Sequence, residues 1–281
     1  MLTVKEGKKF DWAALTLEEC ATGNALDASY TLRIYDELRD KLVANGTLPV
    51  LDKLLSPLFP VFADIEYRGL DVSLDELGVV GRTLNQLLMD IEDGLYVSDK
   101  VAKTANLLST KDLIDILYSD SGFGFYPPIM TDKGSPSTNK QSLDILLTQI
   151  DAELEKRGKK KYKNLDKQIS EDYISKKSTE DLREAKGWLD SLLELRKVQK
   201  LYNTYVNGIK RAVDFNGTDK VYVDYRMDGT LTGRLSCASY SNMGVSFHTL
   251  PREDKHNIRS MFTAPEGHSF ITVDYAAMEL R

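Results

Sequence analysis

The stretch Phe270-Ile271-Thr272-Val273-Asp274-Tyr275-Ala276-Ala277-Met278-Glu279-Leu280-Arg281 decides how this chain is read. Its apolar, partly β-branched opening predicts a buried strand. The strand ends on an acid, and small, helix-favouring residues follow. A carboxylate delivered at a strand end is held rigidly yet can reach a cleft, as the first ligand of a metal-dependent phosphoryl-transfer site must. One such Asp cannot hold two ions, so Asp274 is expected to be half of a site completed from elsewhere. Tyr275 can add its backbone carbonyl to a hard cation that prefers oxygen, such as Mg²⁺.

Composition sets the frame for this reading. The chain has 281 residues, a net charge of −6 and a pI near 5.3. Bulk acidity weighs against a nucleic-acid binder only weakly, because a local basic stripe suffices for phosphate contact. Two cysteines, Cys20 and Cys237, suggest neither a disulfide framework nor a zinc site, and three histidines disfavour a His-rich metal centre. No signal-peptide core and no run of membrane-spanning length occur, so a cytoplasmic protein without membrane partners is expected.

Upstream the pattern is helical. Leu26, Tyr30, Leu32, Ile34, Tyr35 and Leu38 give mixed helical spacing, closed by Asn45-Gly46. Asp27 lies within this block, and an acid on an amphipathic helix is ordinarily a solvated side chain. Gly69 predicts a turn into a short extended piece, and Ser73 and Ser109 read as N-caps. Residues 156–163 hold six cations in eight positions. They suit either a phosphate backbone or a solvated loop. A long helix is predicted over 179–213, with Trp188, Leu192, Leu195, Val198, Tyr202, Tyr205 and Ile209 as one apolar stripe. An aromatic stripe at this spacing reads as core. Arg196, Lys197, Lys200, Lys210 and Arg211 flank it.

After Asn216-Gly217 the pattern turns to strands, through Lys220-Val221-Tyr222-Val223-Asp224-Tyr225 and Thr232-Gly233-Arg234-Leu235-Ser236. Asp224 and Asp228 are explained by their turn positions. Arg234 follows Gly233 in a strand-turn setting from which a guanidinium can reach across a groove. The minor groove offers acceptors at nearly equivalent positions for every base pair, so an Arg there can test pair geometry without reading sequence.

Four strings stand in order: Thr232-Gly233-Arg234-Leu235-Ser236; Asn257-Ile258-Arg259 with Phe262; Ala264-Pro265-Glu266-Gly267; and Asp274-Tyr275 with Glu279-Leu280-Arg281. Their order and approximate spacing resemble family-A DNA polymerases, the bacterial DNA polymerase I type and its bacteriophage relatives. The last string resembles the family's motif A, Asp-Tyr-Ser-Gln-Ile-Glu-Leu-Arg. The resemblance implies a mostly helical α+β chain forming an incomplete right-hand fold. Residues 1–45 would be a remnant of a 3′–5′ exonuclease-like domain. Residues 46–215 would be the thumb, with a charged insertion at about 150–185, and 216–281 the first palm segment, ending in motif A.

The resemblance further implies DNA-templated nucleotidyl transfer to a primer 3′-hydroxyl by two Mg²⁺ ions, with one carboxylate ligand, Asp274, in this chain. Tyr275 would lend its carbonyl. Glu279 would pack under the incoming sugar and exclude a 2′-hydroxyl by shape. Arg234 would meet the minor-groove side of the primer terminus. Arg196, Lys200 and Arg259 would lie near DNA, with Arg281 and Arg252 supporting the site. Asp27 would be an exonuclease remnant, although the Tyr expected four residues earlier is Gly23.

Departures from the family pattern are specific. Residues 241–251 replace the usual Pro-Asn-Leu-Gln-Asn-Ile-Pro, and Gly244 cannot make the family Gln's template-side contact. The first two exonuclease motifs, the fingers helix with its nucleotide-binding Lys and the His-Asp-Glu motif have no counterpart. The expected partners are primer–template DNA, deoxynucleoside triphosphates and a second polypeptide or downstream segment carrying fingers and remaining palm. The setting would be a bacterial cytoplasm, or the host's if phage-encoded. The alternative is a non-catalytic DNA-binding or assembly module derived from a polymerase.

Overall fold

A computed structural model describes residues 15–158, 174–240, 244–251 and 255–276. The chain separates into two compact units, 1–67 and 68–281.

The first unit is helical. Helix α1 (Leu17–Ala44) starts at Thr16 with a reciprocal capping box. Thr16 Oγ1 accepts from the Glu19 amide at 3.2 Å, and the Thr16 amide donates to Glu19 Oε2 at 2.9 Å. The helix closes at Asn45, next to Gly46 at φ 68°, as the Asn-Gly pair predicts. A one-turn helix α2 (Leu48–Val50), a π-turn (Leu51–Leu55) and helix α3 (Ser56–Arg68) follow. No residue described in these helices is buried.

The second unit holds the core. Gly69, at φ 62°, turns the chain into strand β1 (Leu70–Val72). A side chain at Gly69 would come within 2.7 Å of the Tyr222 ring, so the turn requires glycine for both φ and space. Helix α4 (Leu74–Leu95) is capped by Ser73 and α5 (Thr110–Tyr118) by Ser109; α6 is Lys140–Gly158. Helix α7 (Thr179–Leu201), capped by Ser178, passes through a second π-turn (Tyr202–Val206) into α8 (Asn207–Asn216). Helices α4 and α6 both pack on α7. The seam consists of Leu84 and Leu95 from α4, Leu143, Leu146 and Ile150 from α6, and Leu182, Leu189, Leu192 and Leu195 from α7, all essentially inaccessible to solvent. Burying each such side chain contributes about 1.5–3 kcal/mol, which makes this seam the main source of the unit's stability.

The predicted stripe from Trp188 to Ile209 faces inward as expected, but the rod is not an uninterrupted α-helix. The π-turn carries the buried neighbours Tyr205 and Val206 on the inward side of the rod. Beyond Gly217 the chain forms β2 (Lys220–Val221), β3 (Val223–Arg226), β4 (Ser236–Ser239) and β5 (Phe262–Thr263). The central β1 pairs antiparallel with β2 (Leu70↔Val221) and with β5 (Val72↔Phe262), while β3 and β4 form a separate hairpin (Tyr225↔Cys237). The Lys220–Asp71 ion pair, at 2.7 Å, reinforces the first register.

One expectation fails. Residues 270–275 form no strand, and Phe270, Ile271, Val273 and Tyr275 are exposed instead of buried. An extended segment is stabilised by a neighbour that completes its backbone hydrogen bonds, and no strand among the described residues pairs with this one.

Candidate functional site

The hairpin β3–β4 positions the first predicted contact. Its loop, residues 227–235, contains a turn in which the Gly233 amide donates to the Thr230 carbonyl at 3.3 Å, with Gly233 at φ 72°. Thr230 Oγ1 donates to the Arg234 carbonyl at 2.7 Å, so the backbone of Arg234 is fixed while its side chain is exposed. Ser236 Oγ donates to the Arg226 carbonyl at 3.3 Å and closes the loop's base. Tyr225 lies against His248, with ring centres 6.1 Å apart, on the adjoining 3₁₀ turn Phe247–Thr249.

A second cation stands on the 3₁₀ turn Ile258–Met261. Arg259 is exposed, and its Nε donates to the Pro251 carbonyl at 2.8 Å. Lys200 is exposed near the end of α7. Arg196, one turn earlier, is half-buried and donates from Nη1 to the Thr138 carbonyl at 2.6 Å. That burial pushes its pKa down, with the nearby Tyr118 opposing the shift. Tyr118 donates to the Ser137 carbonyl at 2.8 Å, and burial pushes its phenol up. Arg196 and Tyr118 together clamp the chain entering α6, so at least one donor of Arg196 is committed inward.

Asp274 and Tyr275 are exposed in the unpaired terminal segment. Glu279, Arg281 and Arg252 lie outside the described residues, as does the 159–163 part of the basic run. Among the described residues no group of three or more His, Cys, Asp or Glu side chains could hold a metal ion. The described donor set is thus the Asp274 carboxylate with a neighbouring carbonyl. These two oxygens fall short of the octahedral shell that Mg²⁺ demands and cannot bridge two ions, so the described residues alone do not fit a two-metal centre. Asp27 is exposed on α1, where its carbonyl accepts from Thr31 Oγ1 at 2.7 Å.

Several structural residues carry no sequence signal. Lys100 reaches Asp181 at 2.8 Å and Glu184 at 2.6 Å, binding the loop after α4 to the start of α7. The Asp181 pKa falls to about 2 because Lys100 and Ser178 both donate to it. Burial works against the Lys100 ammonium, but its bonds to Asp181 and Glu184 prevail and raise its pKa. Tyr205 Oη donates to the Thr249 carbonyl and ties the π-turn to the segment beside the hairpin. Gly208 sits against Gly244, where an added Cβ would lie 2.9 Å from the Gly244 carbonyl oxygen. Only this last contact could have been suspected from sequence, since two glycines at an element boundary invite close backbone approach.

The sequence profile of DNA polymerase family A matches residues 148–281. DNA polymerase I of Pseudomonas aeruginosa is 28% identical over 280 residues, which are 99% of this chain and 26% of that protein. Residues 148–281 thus match DNA polymerase family A, and nearly the whole chain is similar to DNA polymerase I. DNA polymerase I of Rhizobium leguminosarum is 29% identical over 258 residues, covering 92% of this chain and 21% of the relative. The chain thus spans about a quarter of the length of the curated relatives it matches. A solved structure, the POL domain of Pol1 from M. smegmatis in complex with DNA primer-template and dNTP, is similar in fold at a TM-score of 0.60 and 22% identity. The likeness covers 85% of this chain and 34% of that one. Among the described residues no helix is long and apolar enough to cross a membrane.

Proposed function

We propose that this chain supplies the thumb and first palm segment of a DNA-templated DNA polymerase, acting with fingers and remaining palm carried by a downstream segment or a second polypeptide. The observation that carries the reading is the match of residues 148–281 to the family, which includes the four ordered strings from Thr232 to Arg281. Supporting it are the exposed cations Arg234, Arg259 and Lys200, spread over the hairpin, the 3₁₀ turn and α7. In this reading residues 1–45 are the exonuclease-like remnant, 46–215 the thumb and 216–281 the palm segment.

Each residue has a role that its chemistry suits. Arg234, on its braced turn, donates to minor-groove acceptors at the primer terminus. Lys200 and Arg259 neutralise backbone phosphates. Arg196 acts mainly by holding the Thr138 segment in place. Asp274 is a metal ligand only once further carboxylates join it. Glu279 would exclude a 2′-hydroxyl, with Arg281 and Arg252 in support.

The test is primer extension with Mg²⁺, using the chain alone and then with a polypeptide carrying the fingers Lys and the His-Asp-Glu motif. The expected result is no extension alone and extension on addition. Failure to complement, with duplex affinity unaffected by Asp274→Ala, would replace this reading with a non-catalytic DNA-binding module.

A further inference from the structure

The β3–β4 turn carries a residue that neither the family motif nor the fold requires. Leu231 lies at the turn's outer position, one residue after Thr230 and three before Arg234. Its relative exposure is 109%, the highest among the large apolar side chains of the described residues. Single exposed apolar residues are ordinary on protein surfaces. This one differs in two respects. Turn positions are usually filled by Gly, Pro, Asn, Asp or Ser, for which Leu has no substitute chemistry. The turn is also stiff: the Thr230 carbonyl accepts from the Gly233 amide, Thr230 Oγ1 holds the Arg234 carbonyl, and Thr232 Oγ1 meets Thr230 Oγ1 at 3.5 Å. A γ-branched side chain is therefore displayed on a braced tip, on the same turn as Arg234.

We infer that Leu231 is a DNA-contacting residue that packs against the deoxyribose edges lining the minor groove of duplex primer–template. The inference rests on the proposed function, which brings Arg234 to that groove. A donor such as Arg234 can pair with base acceptors, but the groove walls between them are formed by sugar C–H groups and reward an apolar partner. Apolar side chains are a recurrent means of engaging the minor groove. On a ribose strand the 2′-hydroxyl projects there, and covering it with Leu would remove its water without supplying a partner. The contact therefore favours deoxyribose strands.

The experiment measures the affinity of the whole chain for a DNA duplex with a recessed 3′ end by fluorescence anisotropy, over a series of salt concentrations. Leu231→Ala and Leu231→Met are compared with the unsubstituted chain, and the series is repeated on the same sequence with an RNA primer strand. Leu231→Ala is expected to weaken DNA duplex binding about three- to tenfold, as loss of a partly buried Leu side chain implies. The slope of log affinity against log salt should stay unchanged, because an apolar contact releases no counterions. Leu231→Met should restore most of the affinity, and on the RNA-primed duplex the Ala variant should lose about twofold or less. Unaltered affinity in Leu231→Ala overturns the inference. So does a shallower salt slope, which would mean that Leu231 acts only by holding Arg234. An unsubstituted chain with no duplex affinity would overturn the proposed function together with this assignment, whereas normal binding indifferent to Leu231 would overturn the assignment alone.

Discussion

At Gly208 helix α8 packs closely against Gly244, in the chain beyond the hairpin. A methyl group at 208 would lie 2.9 Å from the Gly244 carbonyl oxygen and 3.1 Å from Val245. At 244 it would lie 3.2 Å from both Ala212 and Val221, on a residue with φ of +90°. Backbone carbonyls cannot swing aside as side-chain tips do, so Gly208→Ala is expected to cost about 1–3 kcal/mol in urea unfolding. Stability equal to the parent chain would contradict the contact. The same crowding gives a physical reason for the departure at 244, where the family's Gln would not fit this conformation. Lys100 yields a pH prediction. Asp181 has a depressed pKa, so its contribution is complete above its ordinary value of 3.8 and is lost as pH falls toward about 2. Glu184, also lowered, acts with the same sign, and the raised Lys100 pKa loses its contribution only as pH rises beyond the ordinary Lys value. Both acids are partly solvent-exposed, so Lys100→Met should cost about 1 kcal/mol or less. The difference in melting temperature should hold from pH 5 to 9 and shrink below about pH 4. A gap that widens in acid would contradict this.

At the scale of elements, the α7–π–α8 rod explains how much the sequence could reveal. Its apolar stripe was readable because burial follows the helical period, and Ser73 and Ser109 were readable as caps because capping is local. The π-turn was not readable, since the apolar spacing through Tyr202, Tyr205 and Ile209 is that of a regular helix. Nor was the inward bond of Arg196, whose partner Thr138 lies 58 residues away. The basic run divides in the same way. Arg157 belongs to α6 and donates to the Ser175 and Lys177 carbonyls and to Thr179 Oγ1. Part of a stretch that composition offers to phosphate thus bridges α6 and the start of α7. Leu189, completely buried on that rod, should cost about 2–5 kcal/mol when replaced by Ala. A loss under about 1 kcal/mol by urea unfolding would mean that the α4–α6–α7 seam is not the unit's main source of stability.

At the scale of the molecule, the resemblance to DNA polymerase family A could be read from the ordered strings, whereas a completed site could not. Residues 270–275 read as a buried strand in sequence and are exposed, because periodicity reports what a segment can bury and says nothing of what provides the cover. If the proposed duplex contacts hold, Lys200→Ala should weaken binding to all sequences alike and reduce the salt slope by about one. A sequence-dependent loss at constant slope would contradict a phosphate contact. In the proposed reading Asp274 serves as a metal ligand together with the remaining palm. Its most direct test is Mg²⁺-dependent primer extension by this chain together with a polypeptide bearing the fingers Lys and His-Asp-Glu motif, comparing Asp274 with Asp274→Asn. Extension is expected with Asp274 and only the background of the chain alone with Asn, at equal duplex affinity. Equal extension by the two would contradict it.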